Sequence, residues 1–381
     1  MTQRNGPRAR RVGVVFGGRS SEHDVSLRSA QTVMQALRAA GHQVVPLGVT
    51  RAGAWLTSGD PMAELQAASP LFQLHDSAPI AGTVIAEVEA LALRAHASDT
   101  PAVIPANGWA GELDVIFPVL HGPMGEDGTV QGLFELAGLP YVGAGVLASA
   151  VAMDKGICKV LLAQAGVPQL PWLTVLRKEW ERFPETVQAD VERELGYPCF
   201  VKPANLGSSV GISKVHAAGE LPAAMAEAAR HDRKLVIEQG ANARELEVAV
   251  LGNDEPLVSV VGEIVPGNEF YDYEAKYVLD NSELLIPADI PHDAADTIRA
   301  LAATAYRALD CAGMARVDFF LDRTTGAVFL NEVNTIPGFT AISMYPKLWE
   351  ASGVPLPELV ARLVELAVER HGERLGVAEP G

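Results

Sequence analysis

A predicted β-hairpin at residues 316–334 carries four polar side chains that could do chemistry: Arg316, Asp318, Glu332 and Asn334. Its two apolar-rich runs flank a turn that contains a glycine, which is the pattern of an antiparallel hairpin. Side chains two residues apart share one face of a strand, so each strand presents two of the four together. A register symmetric about the turn would place Asp318 opposite Glu332 and Arg316 opposite Asn334.

Two carboxylates and an amide oxygen on one face are suited to hold a divalent cation. Carboxylates this close repel each other unless a cation joins them, and hard oxygen ligands suit Mg²⁺ shared with the phosphates of a nucleotide. The alternative is a solvated hairpin face without a ligand. Residues 334–338 continue into a Pro-Gly turn that redirects the chain beside the proposed ions, which favours a site.

The first third of the chain shows the strand, turn, helix, strand order of a doubly wound α/β domain. We predict a buried strand at residues 12–16, a glycine-containing turn at 17–22, a helix at 25–39 and a second strand at 43–47. A helix N-terminus after glycines can hold an anion, but the G-x-G-x-x-G spacing of dinucleotide sites is absent. Glu22 could be a ligand-binding group or an ordinary first-turn carboxylate.

A second glycine-rich loop follows the strand that we predict at residues 113–120. Residues 121–132 hold four glycines and two acids, and loops at the carboxyl ends of α/β strands are where ligands bind. For His121 alone, a structural role and a functional role are equally good interpretations. The density of unusual loop residues favours a site, whereas residues 51–112 are Ala-rich and carry no recognisable chemistry.

The second half of the chain has an α+β pattern with hairpins. A strand predicted at residues 199–203 contains Lys202, and the Gly-Ser-Ser-Val-Gly loop at 207–211 offers N–H and hydroxyl donors that suit phosphate oxygens, without P-loop spacing. Residues 235–240 predict a strand and turn, and 244–252 alternate like a half-buried antiparallel strand. We also predict helices at residues 153–165, 291–308 and 356–368.

The composition is that of an acidic globular protein. Its 381 residues suggest two or three domains, and 48% hydrophobic residues suffice for their cores. The net charge of −17 argues against a nucleic-acid partner. The three cysteines have no metal-ligand spacing, which favours small buried side chains in a reducing compartment. We see no signal peptide or membrane span, so we expect a cytoplasmic protein without a membrane partner.

Three blocks of residues together resemble a D-alanine–D-alanine ligase of the ATP-grasp superfamily. They are residues 17–26 with Gly17, Gly18 and Glu22, the loop at 121–132, and the hairpin with its sequel at 316–338. The resemblance covers nearly the whole chain in the family's order. It implies an N-terminal α/β substrate-binding domain at residues 1–147, followed by a two-part ATP-grasp fold: a central subdomain at 148–240 and a C-terminal subdomain at 241–381.

The resemblance also implies the reaction. ATP would phosphorylate the carboxylate of one D-alanine, and the amine of a second would displace phosphate from the acyl phosphate. Two Mg²⁺ ions, with Mn²⁺ as a substitute, would assist, and positioning with electrostatic stabilisation would do most of the catalytic work. The partners would be D-alanine, ATP and a second copy of the chain in a homodimer, and the product would serve peptidoglycan synthesis.

Site residues are carried over by matching motif positions. The implied catalytic residues are Glu22, Ser208, Tyr277, Arg316 and Gly338. The implied ATP contacts are Lys155, Lys202, Ser208, Ser209, Glu238, Gly240, Ala241, Glu245, Phe270, Lys276, Asn331 and Glu332. The implied substrate contacts are Glu22, Val25, His121, Arg316, Gly338, Ser343 and Met344. The implied metal ligands are Asp318, Glu332 and Asn334.

Within this set, Lys155 and Lys202 would meet phosphates, and Glu22 would anchor the first substrate's ammonium group. Glu22, Ser208 and Tyr277 would tie the three domains together by hydrogen bonds. Residues 271–277 resemble a mobile loop that covers the site and keeps water from the acyl phosphate. A helix beginning at Ser343 would offer free N–H groups to the second substrate's carboxylate.

Four other functions compete with this interpretation. A D-alanine–D-lactate ligase shares nearly every motif; such ligases have a histidine where this chain has Tyr277, so we expect poor use of D-lactate. Another ATP-grasp enzyme, such as a carboxylase, would keep the fold. An NAD oxidoreductase lacks the third spaced glycine and leaves the hairpin unexplained. A non-catalytic nucleotide sensor would be favoured by loss of a metal ligand or phosphate-binding lysine, and none is missing.

Overall fold

The computed structural model describes residues 9–69, 113–265 and 283–376. Within these ranges the strands form three sheets, and helices pack against them. None of the helices described there is both long and apolar enough to cross a membrane. The mixed α/β and α+β architecture agrees with the class predicted from the sequence.

The first sheet forms the doubly wound unit. Its strands are β1 (Arg11–Gly17), β2 (Gln43–Val49), β3 (Trp55–Leu56) and β4 (Val115–Val119), flanked by helices α1 (His23–Ala39), α2 (Pro61–Ala67) and α3 (Thr129–Leu136). β1 lies between β2 and β4 and is parallel to both, whereas β3 is an antiparallel edge strand. Val14 packs with Leu27 of α1, and its neighbour Val15 packs with Phe134 of α3 on the other face. Alternation along β1 therefore buries both faces of the sheet.

The turn after β1 requires glycine. Gly17 has φ +94°, and a Cβ atom there would lie 2.2 Å from the carbonyl oxygen of Val49. The next amide, that of Gly18, donates to the same oxygen at 2.8 Å. This close approach of β1 and β2 turns the chain sharply, and it leaves Glu22 as the N-cap residue of α1.

The second sheet is antiparallel, with the order β5-β8-β6-β7. Its strands are β5 (Trp172–Leu176), β6 (Cys199–Pro203), β7 (Ser213–Val215) and β8 (Lys234–Gln239). The helices of this region are α4 (Val146–Met153), α5 (Lys155–Gln164), α6 (Arg177–Arg182), α7 (Pro184–Glu194) and α8 (Leu221–His231). The Asp154 carboxylate accepts the Ile157 N–H at 3.1 Å, and this cap fixes the start of α5.

The third sheet is also antiparallel, with the order β12-β11-β9-β13-β14 and β10 paired to β9. Its strands are β9 (Ala243–Gly252), β10 (Leu257–Val258), β11 (Gly262–Val265), β12 (Glu283–Leu285), β13 (Gly313–Asp322) and β14 (Val328–Asn334). The remaining helices are α9 (His292–Ala308), α10 (Met344–Ala351) and α11 (Leu356–Gly376). Helix α11 continues eight residues beyond the end predicted for it.

The antiparallel strand predicted at residues 244–252 is confirmed as β9, but the prediction that it is half-buried is wrong. β9 is a central strand between β11 and β13, and every residue from Leu246 to its end is buried. Leu246 and Val248 face one hydrophobic core, and Ala249 and Leu251 face another. The charged residue that suggested a solvent face is Glu247, which is buried beside an arginine of the site described below.

Candidate active site

Two cavities, of about 420 and 630 Å³, meet between the sheets. The smaller cavity reaches Glu22 and the turn at residues 336–338, and the larger one reaches the lysines near β6 and β8. The residues lining both are Glu126, Gly207, Ser208, Glu245, Ile264, Phe320, Asn331, Glu332 and Asn334. The predicted metal ligands on β14 therefore lie where the two cavities join.

The hairpin of β13 and β14 has the predicted register. Arg316 pairs with Asn334 and Asp318 pairs with Glu332. Beyond that pair the register shifts by one residue, which leaves Asn331 as an extra residue on β14. Consecutive residues of a regular strand face opposite sides, whereas Asn331 and Glu332 both line the cavities. The bulge re-aims one of these two side chains.

Arg316 is held by two buried carboxylates. Its Nε and Nη2 atoms donate to Asp318 at 2.8 and 2.7 Å, and Nε lies 3.0 Å from Glu247. Burial lowers the pKa of the guanidinium, but Asp318 and Glu247 outweigh this effect and raise the pKa well above its ordinary value. The smaller cavity therefore contains a fixed positive charge. Glu247 was not predicted as a site residue, because its contact with Arg316 joins two strands that are distant in sequence.

The metal prediction fits the donor atoms of the hairpin. Among the described residues, no group of three His, Cys, Asp or Glu side chains could hold a metal ion. The predicted set has only two carboxylates, Asp318 and Glu332, and the amide of Asn334, whose Nδ2 donates to Asp318 at 3.1 Å and leaves its oxygen available. Such an incomplete oxygen set suits Mg²⁺, because this ion takes its remaining ligands from water molecules and from phosphates.

Glu22 joins the first sheet to the loop at residues 207–211. Its buried carboxylate accepts a hydrogen bond from the Ser208 hydroxyl, as the resemblance implied for this pair. Ser208 and Ser209 have φ values of +52° and +59°, a conformation that costs non-glycine residues about 1–3 kcal/mol each. Backbone strain of this kind clusters at functional sites. Tyr277, the third residue of the predicted trio with Glu22 and Ser208, lies outside the described residues.

The first turn of α1 is fixed by a residue that the sequence analysis passed over. The buried carboxylate of Asp24 accepts from Arg51 Nη2 at 2.8 Å and from Ser69 Oγ at 2.7 Å. Arg51 and Ser69 belong to residues 51–112, for which we predicted no chemistry. They thus connect that segment to Asp24, two positions from Glu22. These contacts position the start of α1 rather than touch a ligand.

The loop at residues 121–132 contributes a buried histidine and an acid. His121 Nδ1 lies 3.1 Å from the Ile336 carbonyl oxygen, and Nε2 lies 3.4 Å from Ser29 Oγ. Glu126, which the sequence analysis did not single out, accepts the Gly122 N–H at 2.7 Å and lines both cavities. Burial raises the pKa of its carboxyl well above its ordinary value, and the charge of Glu22 adds to the effect.

The larger cavity is lined by lysines around one buried carboxylate. Glu238 accepts from Lys202 Nζ at 2.5 Å and from Lys159 Nζ, and its side chain is 2% exposed. Burial raises the pKa of Glu238, but the two ammonium groups outweigh this effect and hold the pKa below its ordinary value. Lys155 Nζ donates to the Leu206 carbonyl oxygen at 2.6 Å, next to the Ser208 loop. Lys159 was missed because its buried partner is distant in sequence.

Most other predicted residues line one of these cavities. Ser343, Met344 and Gly338 line the smaller one, and the larger one includes Ser209, Gly240 and Ala241. Val25 is buried in α1 and is not among the residues lining either cavity in the described part of the chain. Phe270 and Lys276 lie outside the described residues, as does the loop predicted at 271–277.

Family models match most of the chain. Residues 11–144 match the model described as D-ala D-ala ligase N-terminus, and residues 161–365 match D-ala D-ala ligase C-terminus. The D-alanine–D-alanine ligase of Heliobacterium modesticaldum is 51% identical over 365 residues, which cover 95% of this chain and 96% of that protein. That of Geobacillus kaustophilus is 51% identical over 368 residues, which cover 96% of each.

Solved structures show the same similarity. The D-alanine-D-alanine ligase from Coxiella burnetii has a TM-score of 0.78 at 35% identity and covers 97% of each chain. The VanG D-Ala:D-Ser ligase from Enterococcus faecalis has a TM-score of 0.76 at 35% identity, covering 94% of this chain and all of the other. The chain therefore belongs to the D-alanine–D-alanine ligase family, and its fold is the N-terminal α/β domain and ATP-grasp fold that the sequence predicted.

Proposed function

We propose that this chain is an ATP-dependent ligase that joins two D-alanine molecules and releases ADP and phosphate. The observation that carries the proposal is the junction of the two cavities at Ser208, Glu332 and Asn334. One cavity offers groups for an amino acid, the other offers lysines for a nucleotide, and the junction is where a phosphoryl group would pass between them. The membership of this chain in the D-alanine–D-alanine ligase family supports the same reaction.

The smaller cavity has a group for each part of the amino acids. The Glu22 carboxylate would hold the ammonium group of the first D-alanine. Arg316 and the N–H of Gly338 would stabilise negative charge on the oxygen of the tetrahedral intermediate, because fixed donors cost no reorganisation during reaction. The N-terminus of α10, which begins at Met344 after the N-cap residue Ser343, would hold the carboxylate of the second D-alanine.

The larger cavity would hold ATP. Lys155 and Lys202 would bind its phosphates, and the strained Ser208–Ser209 loop would add N–H and hydroxyl donors. Glu238, Gly240 and Ala241 would lie along the adenine edge. Glu245 would accept hydrogen bonds from the ribose, and Asn331 would face the phosphates beside Glu332. Phe270 and Lys276 are assigned to ATP from the resemblance alone.

Two Mg²⁺ ions would be held by the oxygen atoms of Asp318, Glu332 and Asn334, and Mn²⁺ would substitute for them. When bound, the ions would neutralise charge on the phosphates. The residues themselves determine where this happens: the bulge aims the end of β14 at the cavity junction, and the Asn334 amide fixes Asp318 from across the hairpin.

The reaction itself would proceed in two steps. A carboxylate oxygen of the first D-alanine attacks the γ-phosphorus of ATP, and the bond to the β–γ bridging oxygen breaks to release ADP. The neutral amine of the second D-alanine attacks the carbonyl carbon of the acyl phosphate. The bond from that carbon to the phosphate oxygen then breaks, leaving the dipeptide and inorganic phosphate. By burying the reacting groups, the two cavities would protect the acyl phosphate from water.

The biological setting follows from the product. We propose that the dipeptide supplies peptidoglycan precursors, that the enzyme works in the cytoplasm where ATP is available, and that it forms a homodimer. The division into domains at residues 1–147, 148–240 and 241–381 is part of the same proposal. No nucleic-acid or membrane partner is needed.

The test is product analysis with ATP, Mg²⁺ and D-alanine as the only amino acid. We expect ADP, phosphate and D-alanyl-D-alanine in equal amounts. Release of ADP without dipeptide, or at a rate independent of D-alanine, would contradict the proposal. Equal mixtures of D-alanine with D-lactate or D-serine, analysed in parallel, would show whether a depsipeptide or a mixed dipeptide displaces the expected product.

A further inference from the structure

The turn that carries the proposed oxyanion donor is hydrogen-bonded to the doubly wound unit on both sides of Gly338. The Ile336 carbonyl oxygen, two residues before it, lies 3.1 Å from His121 Nδ1. The Phe339 N–H, directly after it, donates to Ser29 Oγ at 3.2 Å. His121 follows β4 and Ser29 lies in α1, so both contacts come from the unit that also holds Glu22.

These contacts form one buried chain of hydrogen bonds. A carbonyl oxygen only accepts, so His121 Nδ1 must carry a hydrogen atom. In the neutral ring Nε2 is then an acceptor, and it lies 3.4 Å from Ser29 Oγ. The Ser29 hydroxyl donates to Nε2 while its oxygen accepts the Phe339 N–H. Ser29 is fully buried and His121 is 5% exposed, so water cannot easily replace either partner. Burial also lowers the pKa of His121, which favours the neutral ring.

The side chains next to Gly338 limit the turn further. The Phe339 ring packs edge-on against Phe117 of β4, with centroids 5.9 Å apart, and lies 5.4 Å from the ring of Tyr345. A Cβ atom on Gly338 itself would lie 2.8 Å from Ser343 Oγ. Packing therefore holds the side chains of the turn, and within the described residues the contacts with His121 and Ser29 restrain its backbone on both sides of Gly338.

We propose that Ser29 and His121 are positioning residues that set the direction of the Gly338 N–H relative to Glu22. The inference rests on the proposed function, because it takes Gly338 as the oxyanion donor. Both ring nitrogens of His121 have partners within the protein, so the side chain can orient the turn from the wall of the smaller cavity. A misplacement of about 1 Å in a catalytic group can cost about 100-fold in rate.

The test is Ser29→Ala, with Ser149→Ala as the matched control. Ser149 is also a fully buried helical serine, in α4, and its hydroxyl lies 3.4 Å from the carbonyl oxygen of Ala144. We expect Ser29→Ala to lower kcat at least about 10-fold while KM for ATP changes less than about twofold, since the lost interaction acts on the transition state. Ser149→Ala should change neither value more than about twofold.

A second measurement reports the geometry without catalysis. Amide hydrogen exchange at Phe339 should accelerate at least about 10-fold in Ser29→Ala and stay unchanged in Ser149→Ala. Ser29→Cys keeps nearly the same volume but bonds weakly, and it should give smaller changes in the same direction. It replaces the alanine variant if that protein does not fold.

The outcomes separate the two proposals. An unmodified enzyme that makes no dipeptide would end the proposed function, whereas the exchange measurement would still report on the Ser29 contact. An active unmodified enzyme whose Ser29 variants keep kcat within about twofold would overturn the positioning role. Equal losses in Ser149→Ala, or a rise in KM for ATP that matches the fall in kcat, would also overturn it.

Discussion

The two ammonium groups on Glu238 predict a measurable energetic coupling. Lys159→Met would keep an unbranched apolar side chain and would remove the charge, which lies 5.5 Å from the centroid of the Trp172 ring. Glu238 would retain the 2.5 Å bond to Lys202. The cost should therefore fall below the 3–5 kcal/mol that is typical of a buried charge left alone, at about 2 kcal/mol.

The second arm of the cycle is Glu238→Gln. This change leaves the ammonium groups of Lys159 and Lys202 in a buried site with a neutral amide, so we expect a loss of about 3 kcal/mol. The double variant Lys159→Met/Glu238→Gln leaves one buried ammonium group beside the neutral amide, whereas Glu238→Gln alone leaves two. It should lose about 3 kcal/mol rather than the sum of about 5, which gives a coupling energy near 2 kcal/mol.

Native-state hydrogen exchange of the buried amides of β8 measures the opening free energy of this sheet by itself. In parallel, Lys159→Met should raise KM for ATP about 10-fold, which corresponds to about 1.4 kcal/mol. The reason is that Lys202 alone must then neutralise the charge of Glu238, so it binds phosphate less well. Opening free energies that add within about 0.5 kcal/mol would show that Lys159 and Glu238 are not coupled and would refute this reasoning.

Three further predictions test other parts of the site and fold. Glu332→Gln should abolish ligation without unfolding the protein, because a neutral amide cannot bridge cations as a carboxylate does; near-normal turnover at saturating Mg²⁺ would contradict this. Lys202→Ala or Lys155→Ala should raise KM for ATP about 10- to 100-fold and leave KM for D-alanine unchanged, since a charge-assisted bond contributes about 1.5–3 kcal/mol; unchanged ATP kinetics would rule out phosphate binding. The Arg10 guanidinium donates to the Glu365 carboxylate at 2.9 Å and lowers the pKa of that carboxyl. The pair therefore stabilises the fold at pH values above the ordinary pKa near 4.5. This stabilisation is lost as the pH falls through the lower pKa that Glu365 has in the folded protein. Urea unfolding of Glu365→Gln should show a loss below about 1 kcal/mol at neutral pH that shrinks on acidification, and a loss that grows instead would reverse the sign.

Local patterns predicted much of the fold. The register of the β13–β14 hairpin followed from its turn and from strand alternation, and Asp318 does pair with Glu332. The helix predicted at residues 153–165 corresponds to α5, which begins at Lys155 with Asp154 in the N-cap position. These features depend on residues that are close in sequence, so short stretches contain the information that specifies them.

Features that depend on distant contacts were missed. The burial of β9 could not be read from its alternating charges, because Glu247 faces Arg316 across the sheet rather than solvent. The Lys159–Glu238 pair spans 79 residues, and the contact of Ser29 with Phe339 spans 310. The bulge at Asn331 arises from pairing between strands, and no residue type near it signals the shift.

Transfer of labelled oxygen from substrate to phosphate would follow the proposed bond breaking directly. With D-alanine whose carboxylate is labelled with ¹⁸O, the oxygen that attacks ATP remains on phosphorus when the acyl phosphate is cleaved by the second amine. We expect each released phosphate to carry a labelled oxygen, with one dipeptide formed for each. Unlabelled phosphate alongside dipeptide, or labelled phosphate without dipeptide, would contradict ligation through an acyl phosphate in this protein.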